Sequence, residues 1–355
     1  MRTDRHDEWP PAWGAVTEEI LDSGGVVAVI GAGDVGKSTF CWGLAARSAA
    51  AGNRVALIDT DLGQARVGPP ATIGLALMGP HAEPDPTPAA LAFVGSTTPH
   101  QHLLPTVVGL RKLGDLAREE EPQHVIVDTC GWVDHPAARA LKEAKFSLLE
   151  PDFVVAIQEE QELEPLLPWA RGRRPDPVRR LRPARAARQR DRAERQRHRG
   201  ERFREYFRDA ETLELEAVAL SLLGTSLWAG QPLPKHVHTT AADLLGSEVA
   251  HAEQVGEQVL LVCEDEPTSD GLRAVREFLP ELRVAVRPRS AFRGRLVGLL
   301  DAHDLCLAVG LISEIDFAQR RLVVRCRPPG DGATGLAMGA LQLNEDFTEA
   351  GRERI

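Results

Sequence analysis

The chain has 355 residues, 43% hydrophobic and 26% charged, which is ordinary for a globular protein long enough to form two domains. No apolar run approaches the roughly 20 residues needed to cross a bilayer, and the N-terminus has no apolar signal segment, so we expect a cytoplasmic protein with no membrane association. The five cysteines form no C-x-x-C pair, which argues against a zinc site or a disulfide framework.

The net charge of −10 is unevenly distributed. Segment 171–208 contains 16 arginines, no lysine and five acidic residues, so its charge is +11 and that of the remaining chain is −21. An acidic body with one strongly cationic segment leaves room for a polyanionic partner in spite of the acidic total.

Residues 1–24 are predicted to be a lead-in with a short amphipathic helix. The apolar, β-branched run 25–30 then predicts a buried strand that leads into GAGDVGKST, a match to the phosphate-binding pattern G-x-x-x-x-G-K-[ST]. In this pattern the glycines turn backbone N–H groups inward, the lysine reaches the β and γ phosphates, and the serine hydroxyl ligates Mg²⁺. An alanine-rich helix follows. The predicted cofactor-binding residues are Gly31, Gly33, Asp34, Val35, Gly36, Lys37, Ser38 and Thr39.

Strands and helices alternate after this loop. Strands are predicted at 54–59, 72–78, 91–94, 124–128 and 153–157, and helices at 103–118 and 136–149. Because each strand is a continuous apolar run, the pattern indicates an α/β fold, a P-loop NTPase with a parallel sheet covered on both faces. From about residue 211, short Val/Leu runs between turn residues predict a smaller β-rich C-terminal domain with a helix near 269–278. The expected domains are therefore 25–210 and 211–355.

Acidic residues lie at the ends of two predicted strands. Asp59 and Asp61 follow the strand after the phosphate loop, and Asp128 ends HVIVD. In phosphoryl-transfer sites one such carboxylate holds Mg²⁺ and another accepts a proton from the attacking hydroxyl. A single strand-terminal Asp often only caps a turn, but three in one domain favour a chemical role. The pattern does not divide the metal-ligand role between Asp59 and Asp128.

The cationic segment has a helical spacing. Six arginines are separated by three or four residues, which would align them along one helix face: Arg185, Arg188, Arg192, Arg195, Arg199 and Arg202. Such crowding suggests a polyanion that neutralises it, although a solvated helix or a disordered basic tail is the alternative. Trp132, four residues after Asp128, is either a core residue or a platform for a nucleic-acid base.

Together these segments resemble the polynucleotide 5′-hydroxyl kinases, whose eukaryotic members include an RNA-cleavage-factor subunit and a ribosomal-RNA-processing kinase. The matching segments are GAGDVGKST, DTDLGQ followed by GPP, FVGSTTP, the TCGW "clasp" and an Arg-rich "lid" at about 171–208 that ends in RGERFREYF. The resemblance covers about residues 14–210. It implies an enzyme that transfers the γ phosphate of ATP, with Mg²⁺, to the 5′-hydroxyl end of RNA or DNA.

The resemblance also implies individual roles. The catalytic residues would be Lys37, Asp59, Arg195 and Arg199; the metal site would use Ser38, Asp59, Asp61 and Asp128; the substrate would contact Gln64, Thr129, Gly131, Trp132, Arg190 and Arg192. The large N-terminal β domain of the eukaryotic cleavage-factor subunit has no counterpart, so no stable protein partner is expected. Two alternatives remain, an ATP-binding but non-catalytic RNA-processing module and a metal-insertion ATPase; the absence of Cys/His clusters argues against the second.

Overall fold

The computed structural model describes residues 9–184, 190–328 and 332–353. The chain divides into two compact units, Met1–Arg202 and Phe203–Ile355. The division falls eight residues before the boundary suggested by the sequence, and the described part of the predicted lead-in, residues 9–24, lies in the first unit. No helix among the described residues is both long enough and apolar enough to cross a membrane.

The first unit is an α/β layer structure. Its strands are β1 Gly25–Gly31, β2 Val55–Thr60, β3 Thr72–Met78, β4 Ala90–Phe93, β5 His124–Thr129, β6 Phe153–Ile157 and β7 Val178–Leu181. Its helices are α1 Pro11–Ser23, α2 Lys37–Ala50, α3 Leu103–Glu119, α4 Pro136–Leu149 and α5 Arg192–Tyr206, and the division between the units falls inside α5. The predicted strands at 72–78 and 153–157 and the helix at 136–149 are confirmed residue for residue.

The seven strands form one sheet in the order β4-β3-β2-β5-β1-β6-β7. Five neighbouring strands of this sheet, β2, β5, β1, β6 and β7, are parallel, as predicted. At one edge of the sheet β3 pairs antiparallel with β2, and β4 pairs antiparallel with β3. The described connections between β2, β3 and β4 contain no helix, and a chain that returns without a crossover must pair antiparallel. The parallel register sets Asp59 of β2 directly beside Asp128 of β5.

Hydrophobic residues cover both faces of this sheet. Val27 and Val29 of β1 pack on one face with Phe40 of α2, while the alternate residues Ala28 and Ile30 pack on the other. Trp13 of α1 is 1% exposed, and its indole N–H donates to Arg182 O at 2.9 Å. Helix α1 is therefore part of the core of the first unit.

The sequence placed an Arg-rich lid at about 171–208, and part of this segment has a different structure. Val178–Leu181 forms the edge strand β7. Arg179 pairs with Glu19 and Arg180 with Glu164, so these two arginines belong to the sheet and not to a cationic arm. The helix begins at Arg192; Arg185 and Arg188 of the predicted stripe lie outside the described residues.

The C-terminal unit is rich in β-structure, as predicted. Its strands are β8 Glu211–Glu216, β9 Ser221–Leu223, β10 Gln231–Pro232, β11 Val249–Val255, β12 Gln258–Cys263, β13 Arg283–Pro288, β14 Arg295–Leu300, β15 Cys306–Asp316, β16 Arg321–Cys326, β17 Gly335–Leu343 and β18 Glu349–Arg352. They form a four-stranded sheet, β10 to β13, and a larger sheet in the order β18-β17-β14-β15-β16-β8, with β9 beside β17. The predicted helix is α7, Ser269–Phe278; α6, Lys235–Leu245, was not predicted.

Candidate active site

The phosphate loop joins β1 to α2. Gly36 precedes the first residue of the helix with φ +98°, a conformation that a side chain would strain, and Asp34 also has a positive φ of 62°. Lys37 is 6% exposed, and its Nζ donates to Ala32 O at 2.6 Å, so its ammonium group lies over the loop. All eight predicted cofactor-binding residues thus lie between the last residue of β1, Gly31, and the first turn of α2, where backbone N–H groups and the helix dipole attract phosphate.

Asp59 and Asp128 lie side by side on the neighbouring strands β2 and β5, and both are almost fully buried, at 2% and 1% exposure. Burial raises the pKa of both carboxyl groups; the charge of Asp128 raises the pKa of Asp59 further, whereas Lys37 and the Ser38 hydroxyl oppose the increase at Asp128. The two groups therefore share one desolvated site close to the first turn of α2.

Their hydrogen bonding differs. Asp59 accepts from the backbone N–H groups of Asp61, Arg66 and Val67, at 3.0, 2.6 and 3.3 Å. Both oxygens of Asp128 are buried; the Ser38 hydroxyl is near enough to lower the pKa of this carboxyl group, but no described residue makes a well-formed hydrogen bond to either oxygen. Asp59 consequently shapes the loop that follows β2, while Asp128 keeps both oxygens available for a ligand.

Asp61 and Gln64 belong to that loop. Asp61 Oδ1 accepts from the N–H groups of Gly63 and Gln64, both at 3.0 Å, which is the turn-capping role of a strand-terminal Asp. Gln64 Oε1 accepts from Arg190 Nη1 at 2.8 Å. The loop is thereby linked to the segment that precedes α5.

The clasp residues follow β5. Gly131 lies against the phosphate loop so tightly that a Cβ atom there would be 2.6 Å from Gly33 N. Trp132 is half-buried, and its ring stacks on that of His135 with centroids 5.4 Å apart, so it is not a core residue. Thr129 was predicted to grip the substrate, but it is 1% exposed and its hydroxyl donates to Val29 O at 2.7 Å. That side chain joins β5 to β1.

The described part of the lid contacts the phosphate loop. The Arg190 N–H donates to Asp34 Oδ2 at 3.0 Å, and Arg195 Nε lies 3.9 Å from the same oxygen. Arg202 Nη2 donates to Gly68 O at 3.0 Å. Arg199 is half-buried, whereas Arg192, at the start of α5, is exposed. The structure thus brings Arg190 and Arg195, but not Arg192, to the nucleotide loop.

The part of the chain that contains these loops is similar to known proteins. Residues 31–209 match the family described as the mRNA cleavage and polyadenylation factor CLP1 P-loop. The chain belongs to this CLP1 P-loop family.

The similarity to individual members of the family extends over most of the chain. The polyribonucleotide 5′-hydroxyl-kinase of Pyrococcus horikoshii is 32% identical over 329 residues, which cover 92% of this chain and 88% of that protein. That of Pyrococcus furiosus is 28% identical, with coverage of 92% and 89%. The solved structure of a Clp1p–Pcf11p complex has a TM-score of 0.59 at 13% identity, covering 94% of this chain and 79% of the matched one. The likeness to this solved structure concerns the fold alone. Membership of a P-loop family means that the chain binds a nucleotide.

Two lysines near the site of this CLP1-family chain were not predicted. Lys142 and Lys145 of α4 are completely buried; the first donates to Cys130 O at 2.8 Å and the second to Thr60 Oγ1 at 2.6 Å. Burial lowers the pKa of both, that of Lys145 to about 8. The sequence held a signal, since lysine is rare beside 37 arginines and the pair in LKEAKF is spaced for one helix face.

Arg66 was also missed. Its guanidinium lies over the Trp42 ring, with Cζ 4.7 Å from the centroid. Burial lowers its pKa, while the charges of Asp128 and Asp59 raise it, so the group lies in the field of the acid pair. A single arginine in a chain with so many offered no pattern from which to predict this position.

Proposed function

We propose that this chain is an ATP-dependent polynucleotide 5′-hydroxyl kinase, which transfers the γ phosphate of ATP to the 5′-hydroxyl end of RNA, DNA or both. The observation that carries the proposal is the packing of Gly131 directly on Gly33, because it joins the phosphate-donor loop to a clasp that bears a half-buried indole. The names of the archaeal relatives support the same activity.

Mg²⁺ is part of the proposal. Asp128 presents two buried oxygens, to which no described residue makes a well-formed hydrogen bond, close to the Ser38 hydroxyl, and hard oxygen donors are the ligands that Mg²⁺ prefers. Among the described residues no cluster of three or more acidic, Cys or His side chains could hold a metal, which fits an ion held by one or two carboxylates and the phosphates. The bound ion would neutralise charge on the β and γ phosphates.

Asp59 is the proposed proton acceptor. Its carboxylate has about four lone-pair positions, and three backbone N–H groups use three of them. A raised pKa suits a base that works near neutral pH. The 5′-hydroxyl oxygen forms the new bond to the γ phosphorus, the bond to the β–γ bridging oxygen breaks, ADP leaves, and the hydroxyl proton passes to Asp59.

Lid arginines supply positive charge in this proposal. Arg195 Nη1 would lie 3.6 Å from a Cβ at Gly33, so its guanidinium is adjacent to the phosphate loop. Arg195 and Arg199, one turn apart on α5, are the proposed pair on the transferring phosphate, and Arg190 contacts both the phosphate loop and the loop after β2. Preorganised guanidinium groups stabilise the charge that develops in transfer.

The test uses γ-labelled ATP with RNA and DNA oligonucleotides that carry a 5′-hydroxyl. Wild type should label the 5′ end, Lys37→Ala should abolish labelling, and Lys235→Ala, an exposed lysine of the C-terminal unit, should leave it unchanged. ATP binding without transfer, together with no effect of Asp59→Asn, would instead support the non-catalytic RNA-processing module.

Separate variants test the metal and the lid. Asp128→Asn should raise the Mg²⁺ concentration needed for half-maximal rate. The double variant Arg195→Ala/Arg199→Ala should lower kcat far more than oligonucleotide affinity, with the exposed Arg197→Ala of the same helix as control. Loss of affinity alone would assign the pair to backbone binding.

The proposal includes a cytoplasmic location and no stable protein partner. The five cysteines are all free and buried, which suits a reducing compartment.

A further inference from the structure

Three aromatic rings from two loops meet beside the clasp. The Trp132 and His135 rings are stacked, 5.4 Å apart and inclined by 25°. The His100 ring contacts both edge-on, with its centroid 5.8 Å from each. Both histidines are exposed, whereas the indole is half-buried. The rings of this cluster, His100, Trp132 and His135, therefore form one accessible aromatic surface and not part of the hydrophobic core.

Both loops that carry the cluster contact loops of the active site. The clasp touches that loop at Gly131, and the loop that carries His100 touches the loop after β2, since a Cβ at Gly63 would be 3.0 Å from Thr97 O. His135 follows Gly131 by four residues and His100 follows Thr97 by three. Each histidine thus follows, in the chain, the residue through which its loop contacts the active site.

The hydrogen bonding of His135 assigns its tautomer. His135 precedes α4, and its Nδ1 accepts from Ala137 N at 3.1 Å, so Nδ1 carries no proton. The other ring nitrogen, Nε2, then carries the proton and is a donor on an exposed side chain. The cluster accordingly combines an accessible ring face, which can stack on a base, with an N–H group that can bond a phosphate oxygen.

We propose that His100, Trp132 and His135 form a subsite for the second nucleotide of the acceptor strand. The base of that nucleotide stacks on the outer face of His135, and the His135 Nε2–H donates to the phosphodiester that joins it to the terminal nucleotide. His100 supports the edges of both rings. Because every base has an aromatic face that can stack, the subsite does not select a sequence. It favours unpaired ends, since a base must leave its duplex stack to lie on the His135 ring.

This inference rests on the proposed function and deepens it, and a series of acceptor lengths tests it. Wild type and variants are compared on a nucleoside 3′-phosphate, a dinucleotide and a hexanucleotide, each with a 5′-hydroxyl, at saturating ATP. Wild type should gain about tenfold to a hundredfold in kcat/KM on addition of the second nucleotide, the range expected when one base stacks on an aromatic side chain.

His135→Asn is the main variant, because asparagine can still cap α4 while the ring is removed. It should lose most of the gain from the second nucleotide and keep the kcat/KM for the nucleoside 3′-phosphate. His135→Phe should retain the stacking part, and His100→Ala should have an intermediate effect. His236→Asn, an exposed histidine of α6, is the matched control and should behave as wild type.

The two levels of the proposal fail differently. If wild type transfers phosphate and His135→Asn keeps the same dependence on acceptor length, the subsite is overturned and the kinase function stands. If wild type transfers no phosphate, the kinase function fails, and fluorescence anisotropy with a 3′-labelled hexanucleotide still tests the subsite. Binding at least tenfold weaker in His135→Asn, with unchanged ATP affinity, supports it; equal binding refutes it.

Discussion

The contact between Gly131 and the phosphate loop leads to a sharp prediction. A Cβ atom at position 131 would lie 2.6 Å from Gly33 N, 2.7 Å from Gly33 Cα and 3.0 Å from Ala32 C. All three are backbone atoms, so no side chain can rotate out of the way. An ordinary contact begins at 3.4 Å, and Gly131→Ala must therefore displace the clasp or the phosphate loop by about 0.8 Å.

Such a displacement should cost activity more than stability. Overpacking by one methyl group typically destabilises a fold by about 1–3 kcal/mol. A misplacement of about 1 Å in a reacting site can reduce the rate about a hundredfold. We expect Gly131→Ala to remain folded, with kcat for 5′-end labelling reduced by about tenfold to a hundredfold.

Gly79→Ala is the control, because a Cβ at that position meets no atom within 4 Å. The assay is transfer from γ-labelled ATP, with nucleotide affinity measured by titration and folding by thermal melting. Wild-type kcat and wild-type nucleotide affinity in Gly131→Ala would refute the idea that the clasp and the phosphate loop are positioned by this contact.

Lys145→Met should lower phosphate transfer, because it removes the bond to Thr60, the last residue of β2 before the loop of Asp61. The melting temperature should stay equal or rise, because the substitution also removes a buried ammonium group. The lowered pKa of Lys145, about 8 against about 10.4 when unfolded, means that the unfolded chain binds more protons between these values, so wild-type stability should rise relative to Lys145→Met from pH 8 to 10; a constant difference would show that the ammonium is not desolvated. Tyr206→Phe leaves the buried Val309 N–H without its acceptor, the Tyr206 hydroxyl at 3.0 Å, and should destabilise the C-terminal unit by about 1–3 kcal/mol. Urea unfolding followed by tryptophan fluorescence measures the loss, and an unchanged midpoint would contradict the assignment of that bond.

Much of the first unit follows from local sequence. The phosphate loop is recognisable because its ligands are consecutive backbone N–H groups, so nine adjacent residues contain the whole cradle. Continuous apolar runs predicted the strands, and β3 and β6 have the predicted bounds. Helix α6, KHVHTTAADLL, was missed because its first half is rich in β-branched and His residues, which are weak helix formers.

Other features depend on contacts between residues far apart in the chain. The sequence could not divide the roles of Asp59 and Asp128, because the difference lies in which backbone N–H groups reach each carboxylate. The substrate contact that the resemblance implies for Thr129 stays a prediction, and the bond from its hydroxyl to Val29 O could not be predicted, because the acceptor lies on a strand 100 residues away. The antiparallel pairing of β3 and β4 likewise depends on how the chain returns to the sheet, which strand composition does not specify.

The sequence by itself determined a nucleotide-binding α/β domain with a β-rich unit after it, since apolar periodicity and a contiguous glycine-rich loop are local properties. Only the tertiary structure decided that Asp128 is the carboxylate without backbone hydrogen bonds to its oxygens, that Arg190 and Arg195 reach Asp34, and that two histidines contact the indole of the clasp. The physical reason is that hydrogen bonds, burial and ring stacking in this site join loops separated by tens of residues, and only the folded sheet brings them to one edge.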